Sequence, residues 1–363
     1  MSEQKHVEVF REAGRYAGWP ANYGIWSWGD EIVVGFTVGY MNLDNPGMHA
    51  VDKEKGQQTM LARSEDGGST WHCEAARLET PGGMGVSAGE HMSRSNDKTT
   101  TAIHLADPPG NIQFSHPDFA MMCARDGLGS GARSWFYISY DRCHTWAGPY
   151  SLPDFGTKGV AARTDYQVTG PGQCILFLTG KIHDYEGASF CAVTDNGGKS
   201  FELRSFIGPE PNGFSIMPAS VLLPDGDYLV AVRRRSDEPP QGCAENWIEA
   251  FRSKDGCGEW ENAGILAPDT GKGGNPPTLT MGSNGRLYLA YGYRAAPFGL
   301  RAKISDDLGR TWSEEIVLRN DGGCRDLGYP RTAMRADGFL VTAYYFADSP
   351  ESERYIAATI WRP

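Results

Sequence analysis

The apolar residues of this chain fall in short runs rich in Val, Ile, Leu, Phe and Tyr, each bounded by Gly, Pro, Asn, Asp or Ser. That pattern predicts strands. The runs come in sets of three: residues 25–28, 31–36 and 59–63; 112–114, 119–123 and 135–138; 165–168, 174–178 and 189–193. The later sets are 219–222, 228–232 and 248–251; 278–280, 287–291 and 300–304; 332–334, 339–345 and 355–359. One run upstream of the first set, residues 7–10, is left over. Paired into the last set it would close a ring and remove the free edge.

After the third strand of five of these sets comes one repeated turn. Its copies begin Ser64-Glu65-Asp66-Gly67-Gly68, Ser139-Tyr140-Asp141-Arg142-Cys143, Thr194-Asp195-Asn196-Gly197-Gly198, Ser253-Lys254-Asp255-Gly256-Cys257 and Ser305-Asp306-Asp307-Leu308-Gly309. They end on Trp71, Trp146, Phe201, Trp260 and Trp312 and start 75, 55, 59 and 52 residues apart. The hydroxyl and the Asp or Asn accept hydrogen bonds from turn amides, Gly supplies positive φ, and the aromatic plugs between neighbouring sheets. Cys143 and Cys257 stand where Gly belongs, which predicts two distorted turns. Units of this size cannot bury an apolar face alone, so they must be stacked in a propeller or solenoid.

The repeat resembles the Asp-box of the sialidase superfamily, over nearly the whole chain. The resemblance implies an all-β fold, a six-bladed β-propeller of four-stranded antiparallel blades with Asp-box turns, and activity on glycans. Six blades of about 55 residues account for the 363 residues as one domain, 1–363.

A net charge of −11 disfavours nucleic acid and an anionic membrane surface as partners. The sequence holds no apolar run long enough for a membrane span, and Met1-Ser2-Glu3-Gln4-Lys5 leads into no signal-peptide core, so a cytoplasmic address is expected unless a leader has been removed. Eight cysteines without a CxxC pair read as free buried thiols, with no metal and no cofactor expected.

Strands alternate direction within a blade. The repeated turns therefore share one face of the disc, while innermost-strand starts and the loops joining second to third strands share the other, around the axis. Innermost-strand starts offer Trp19, Asn22, His116, Arg163, Asp165, Tyr166, Met217, Asn275, Tyr329 and Arg331. The second-to-third loops offer Asp44, His49, Asp52, Lys181, His183, Glu186, Arg233, Arg234, Arg235, Glu245 and Arg294. Basic residues gathered in so acidic a chain favour an anionic carbohydrate, because guanidinium grips a carboxylate by two parallel hydrogen bonds.

Gly328-Tyr329-Pro330-Arg331 resembles the sialidase segment that carries the nucleophilic tyrosine, and the strand ending in Arg233 resembles one that carries a triad arginine. By the same resemblance Arg294, or Arg301, fills the third triad position, and Asp44 or Asp52 the acid/base slot. Departures are plain: Trp19 stands near the first triad arginine's place and Met217 in that of the glutamate assisting the tyrosine. Glu186, Glu245 or Glu249 would have to substitute for that glutamate.

Two enzymatic readings result. In an exo-acting glycoside hydrolase removing a terminal acidic sugar, Tyr329 is nucleophile, Asp52 or Asp44 the acid/base, and Arg233, Arg294 and Arg331 the clamp, with Arg163, Arg235, Asp165, Tyr166, Trp19 and Asn275 lining the site. In a uronate lyase, His49 or His183 takes the C5 proton and Tyr329 or Tyr166 donates to the leaving oxygen. A non-catalytic glycan-binding propeller is the third possibility.

Overall fold

The computed structural model describes residues 3–44, 49–79, 81, 104–183 and 187–363. Among these, six antiparallel sheets follow one another as the blades of a β-propeller. Blade one has its innermost strand in two pieces, β2 (Arg15–Gly18) and β3 (Ile25–Trp28), both paired to β4 (Glu31–Tyr40), followed by β5 (Gln58–Ser64) and β6 (His72–Ala75). The one-turn helix α1 (Pro20–Tyr23) interrupts them.

Blade two shows β7 (Ala120–Arg125), β8 (Ser134–Ser139) and β9 (Ala147–Ser151). Blade three runs β10 (Tyr166–Gly170), β11 (Gln173–Gly180), β12 (Ala188–Thr194) and β13 (Glu202–Phe206). Blade four runs β14 (Phe214–Leu222), β15 (Tyr228–Arg235), β16 (Asn246–Ser253) and β17 (Glu261–Ala267). Blade five runs β18 (Pro277–Met281), β19 (Leu287–Tyr293), β20 (Gly299–Ser305) and β21 (Ile316–Arg319).

Blade six runs β22 (Gly328–Met334), β23 (Leu340–Phe346) and β24 (Tyr355–Arg362), and its fourth strand is the N-terminal β1 (Glu3–Phe10). Glu3 pairs with Arg362 and Phe10 with Ile356, so first and last strands close the ring as the leftover run predicts. One predicted strand is not found. Residues 112–114 join no sheet; the Ile112 and Phe114 amides instead donate to Gly197 O and Pro171 O of blade three.

The apolar core is divided by the architecture into six clusters, one between each pair of neighbouring blades. Each repeat aromatic enters the interval ahead of its own blade: Trp71 between six and one, Trp146 between one and two, Phe201 between two and three, Trp260 between three and four, Trp312 between four and five. Blade six has no such turn, and Trp361 of β24 is fully buried in the remaining interval.

Each repeated turn joins the last two strands of its blade in chain order: third to fourth in blades one, three, four and five, and β8 to β9 in three-stranded blade two. In the first, Gly68 N donates to Ser64 Oγ at 2.7 Å and Thr70 N to Asp66 Oδ1 at 2.8 Å. The two turns expected to be distorted are not. Cys143 (φ 68°) and Cys257 (φ 71°) adopt the left-handed conformation that Gly68, Gly198 and Gly309 adopt elsewhere, and Cys143 N still reaches Ser139 Oγ at 2.9 Å. Burial of the thiol side chains between blades compensates for the backbone cost. All eight cysteines are free thiols.

Candidate functional site

Three innermost strands carry the same device. Trp19-Pro20, Met217-Pro218 and Tyr329-Pro330 each place a bulky residue in the left-handed region, with φ of 62°, 55° and 50°. The residue before proline prefers extended backbone, and left-handed geometry costs a non-glycine residue about 1–3 kcal/mol, so the surroundings must enforce it. In β14 and β22 the bulge breaks the register, between Ile216 and Ala219 and between Gly328 and Arg331. It turns the side chain out of the pleat.

Asn275 enforces the bulge at Tyr329. Fully buried, it accepts the Tyr329 amide on Oδ1 at 2.8 Å and donates to Leu327 O at 3.0 Å. A Cβ on Gly328 (φ 103°) would lie 2.3 Å from its Nδ2, so only glycine fits there.

Tyr329 is 4% exposed, and its hydroxyl accepts from Arg233 Nη1 at 3.3 Å. The same nitrogen lies 3.8 Å from the sulfur of Met217. Met217, where the sialidase resemblance calls for a glutamate, thus meets the same guanidinium nitrogen as the phenol. Arg233 Nη2 donates to Gly273 O, while Arg233 Nε is buried without a hydrogen-bond partner among the described residues. Glu245 and Glu249 are spent elsewhere, on Arg235 and on Arg234 with Asn262. Glu186 lies outside the described residues.

Beside Tyr329 is a second, buried network centred on Asp326, which the sequence reading did not single out. Its Oδ1 accepts from Tyr345 at 2.9 Å and Tyr16 at 3.3 Å, and its Oδ2 from Arg354 Nε at 3.0 Å and the Ala50 amide at 3.2 Å. Burial opposes its charge, but His49, Arg354 and Arg294 outweigh burial and hold the carboxyl below its usual range.

His49, itself left-handed (φ 54°), has Nδ1 3.7 Å from Asp326 and 2.9 Å from Trp19 Nε1. An indole nitrogen only donates, so Nδ1 accepts and the neutral ring carries its proton on Nε2. Burial, opposed by Asp326 and reinforced by Arg294 and Arg233, lowers the imidazole to about 4. The ring meets Tyr329 edge-on at 6.2 Å between centroids.

The remaining arginines are held by the protein's own acceptors. Arg294 gives Nε and Nη2 to Leu327 O, Nη1 to Gly274 O and Nη2 to the Tyr345 hydroxyl, with its guanidinium 5.4 Å from the Tyr329 ring centroid. It supports the tyrosine from behind and is 1% exposed. Arg331 pairs with Asp165 at 3.4 Å and donates to Ala21 O and Thr164 O. Arg301 faces the rim of blade five, on Glu315, Arg319 O and Pro297 O. The guanidinium donors of Arg294 and Arg331 are thus taken by the protein itself; of the proposed set, Arg233 donates to the Tyr329 hydroxyl and Arg294 stacks on its ring.

Arg163 Nε donates to Asn22 Oδ1 at 3.1 Å, and exposed Arg235 is paired with Glu245 and Asp237. Asp165 also accepts Ser220 Oγ at 2.5 Å; burial first, against the pull of Arg331 and Ser220, raises it to about 6. The hydroxyl of Tyr166 accepts the Met121 amide between blades two and three. Asp44 is exposed, and Asp52 is paired with Lys55 at 3.2 Å on the β4–β5 loop that also bears His49. His183 pairs with Glu210 in the open.

The fold has solved counterparts. A protein of unknown function from Dyadobacter fermentans is 20% identical, with a TM-score of 0.70 over 98% of this chain and 97% of that one. Trypanosoma rangeli sialidase is 11% identical, with a TM-score of 0.60 over 98% of this chain, which spans 59% of that protein's length. Penicillium chrysogenum α-L-arabinanase is 14% identical, with a TM-score of 0.57 over 99% of this chain and 98% of that one. The chain thus shares the six-bladed architecture of sialidases. No family model and no curated protein matches it.

Proposed function

We propose that this propeller is a glycan-processing enzyme, an exo-acting glycoside hydrolase that removes a terminal acidic sugar with Tyr329 as nucleophile. The observation that carries this reading is the Arg233–Tyr329 contact at a strained bulge on the axial face. A guanidinium donating to the phenol favours its ionised form, which is the work a carboxylate base does in sialidases by another route. The phenolate oxygen attacks the anomeric carbon as the glycosidic oxygen leaves with a proton from Asp52; water, giving its proton to the Asp52 carboxylate, then displaces the tyrosine as phenolate. Arg233 Nε, unsatisfied in the described residues, supplies a donor for the sugar carboxylate.

A specific observation favours a second reading. His49 facing the Tyr329 ring, with Arg233 on the phenol, forms a His/Tyr/Arg group in which the phenolate takes the proton next to a uronate carboxylate and His49 Nε2–H, its Nδ1 being held by Trp19, donates to the leaving oxygen. Incubation with a 4-methylumbelliferyl α-sialoside tests the first reading. Fluorophore release by the wild type that is lost in Tyr329→Phe supports it; no release from acidic glycosides, with ultraviolet-absorbing unsaturated product from a polyuronate, transfers the site to the lyase reading. Failure of both leaves glycan binding alone.

A further inference from the structure

A row of unsatisfied polar groups lies away from Tyr329, on the face of blade four turned toward blade three. Val230, Val232 and Phe251 define that face by packing with Ile175, Phe177 and Cys191 of blade three. Arg234 follows Val232 by two residues on β15 and shares its side of the sheet. Ser215 of β14 and Trp247 of β16 are its cross-strand partners, so three side chains stand in one line across three strands.

All three are buried, at 0%, 9% and 2% exposure for Ser215, Arg234 and Trp247. Ser215 Oγ, Arg234 Nε and Nη1 and Trp247 Nε1 make no hydrogen bond among the described residues. The guanidinium stands 5.5 Å from the Trp247 ring centroid. Glu249 approaches only its Nε side, 3.4 Å away, and gives its other oxygen to Asn262 at 2.5 Å. Nη1 is left without a partner, and burial lowers the affinity of Arg234 for its own proton despite Glu249. Buried donors without acceptors are rare because desolvation is then uncompensated.

We infer that this row is a binding site for an anionic group, a carboxylate or a sulfate ester, borne by the glycan. Every unsatisfied group in it is able to donate, and only an acceptor-only ligand satisfies all of them together. Arg233 and Arg234, neighbours in sequence, project from opposite faces of one strand, so the two arginines serve separate groups. The inference rests on the proposed function only in taking the anion to be part of a carbohydrate.

Isothermal titration with sodium glucuronate, sodium sulfate and neutral glucose tests it directly. The wild type binds glucuronate or sulfate but not glucose, and the preferred anion identifies its source. Arg234→Gln weakens that binding at least tenfold, and Trp247→Phe, which keeps an aromatic ring but loses the N–H and the rest of the indole, weakens it about tenfold. Asp307→Ala, in a repeated turn away from both sites, leaves it unchanged, and because binding is read without turnover, failure of the catalytic reading is distinguishable from failure of this one. Binding of neither anion, or equal binding by wild type, Arg234→Gln and Trp247→Phe, overturns the assignment.

Discussion

Arg233 of blade four and Tyr329 of blade six meet at 3.3 Å, nitrogen to phenol, and the sulfur of Met217 sits 3.8 Å from that same nitrogen. The guanidinium thus lies between the phenol and the thioether. If Tyr329 is the nucleophile, Arg233→Met lowers kcat on an acidic glycoside by about 10²-fold, the scale for losing one charge-stabilising donor in a site. Steady-state kinetics on wild type and variant check this; an unchanged kcat removes Arg233 from the chemistry.

Met217→Glu restores a carboxylate beside the guanidinium that holds the phenol. For a hydrolase it supplies the missing base and raises kcat by about tenfold or more. For a lyase it places a negative charge where a uronate carboxylate must bind and lowers turnover. Assaying the one variant on a sialoside and on a polyuronate separates the readings by the sign of the change.

Asp326 is the hub most exposed to mutation. Arg354→Met removes its buried ion-pair partner at 3.0 Å and leaves an uncompensated carboxylate, which costs about 3–5 kcal/mol. Arg354→Met with Asp326→Asn removes the charge as well and recovers part of that loss. Urea unfolding of both is the measurement, and equal losses in the two would show that the ion pair is not what matters.

The ring was legible because its signals are local. A Ser-x-Asp turn satisfies its own amides within five residues, as Ser64, Asp66 and Thr70 do, so it leaves a readable pattern. Tyr329, Arg233 and Met217 were found because they belong to one recognisable strand start or end each. Asp326 was not, because its partners Tyr16, Ala50, Tyr345 and Arg354 come from four distant stretches and none forms a motif with it. The arginines failed as a set for the opposite reason. Position in a blade predicts where Arg294 and Arg331 begin but not that main-chain carbonyls, Leu327 O for one and Thr164 O for the other, take their donors. The repeated Trp-Pro, Met-Pro and Tyr-Pro steps at 19, 217 and 329 were visible and would have pointed to the axial bulges.

The repeated turns should carry stability and nothing else. Asp307→Ala removes acceptors for the Thr311 amide at 2.8 Å and the Thr311 hydroxyl at 2.6 Å, on the face opposite Tyr329. A loss of about 1–2 kcal/mol with unchanged kcat/KM is expected. Thermal unfolding alongside the activity assay checks it, and a fall in kcat/KM without a fall in Tm would show that this face takes part in function.

Acid titration sets two site residues against each other. His49 is lowered to about 4 from 6.5, so as pH falls the unfolded chain takes up this proton first. The stability it contributes is complete above pH 6.5 and is withdrawn down to about pH 4. Asp165 is raised to about 6 from 3.8, so here the native state takes up the proton first and gains stability as pH falls from 6 toward 3.8. Each effect is about 3 kcal/mol at full extent. Over pH 4 to 6 the two oppose, and wild-type stability changes little on their account. His49→Gln leaves the Asp165 term alone, so unfolding free energy rises as the solution is acidified across that window. Asp165→Asn, which removes the ionisable carboxyl facing Arg331 at 3.4 Å, leaves the His49 term, and unfolding free energy falls across the same window. Urea titrations of the three proteins at several pH values would give slopes of opposite sign for the two variants. Three parallel curves would mean that the protonation of neither group differs between the folded and unfolded chain from pH 4 to 6, and the electrostatic account of the His49–Asp326 and Asp165–Arg331 pairs would have to be abandoned.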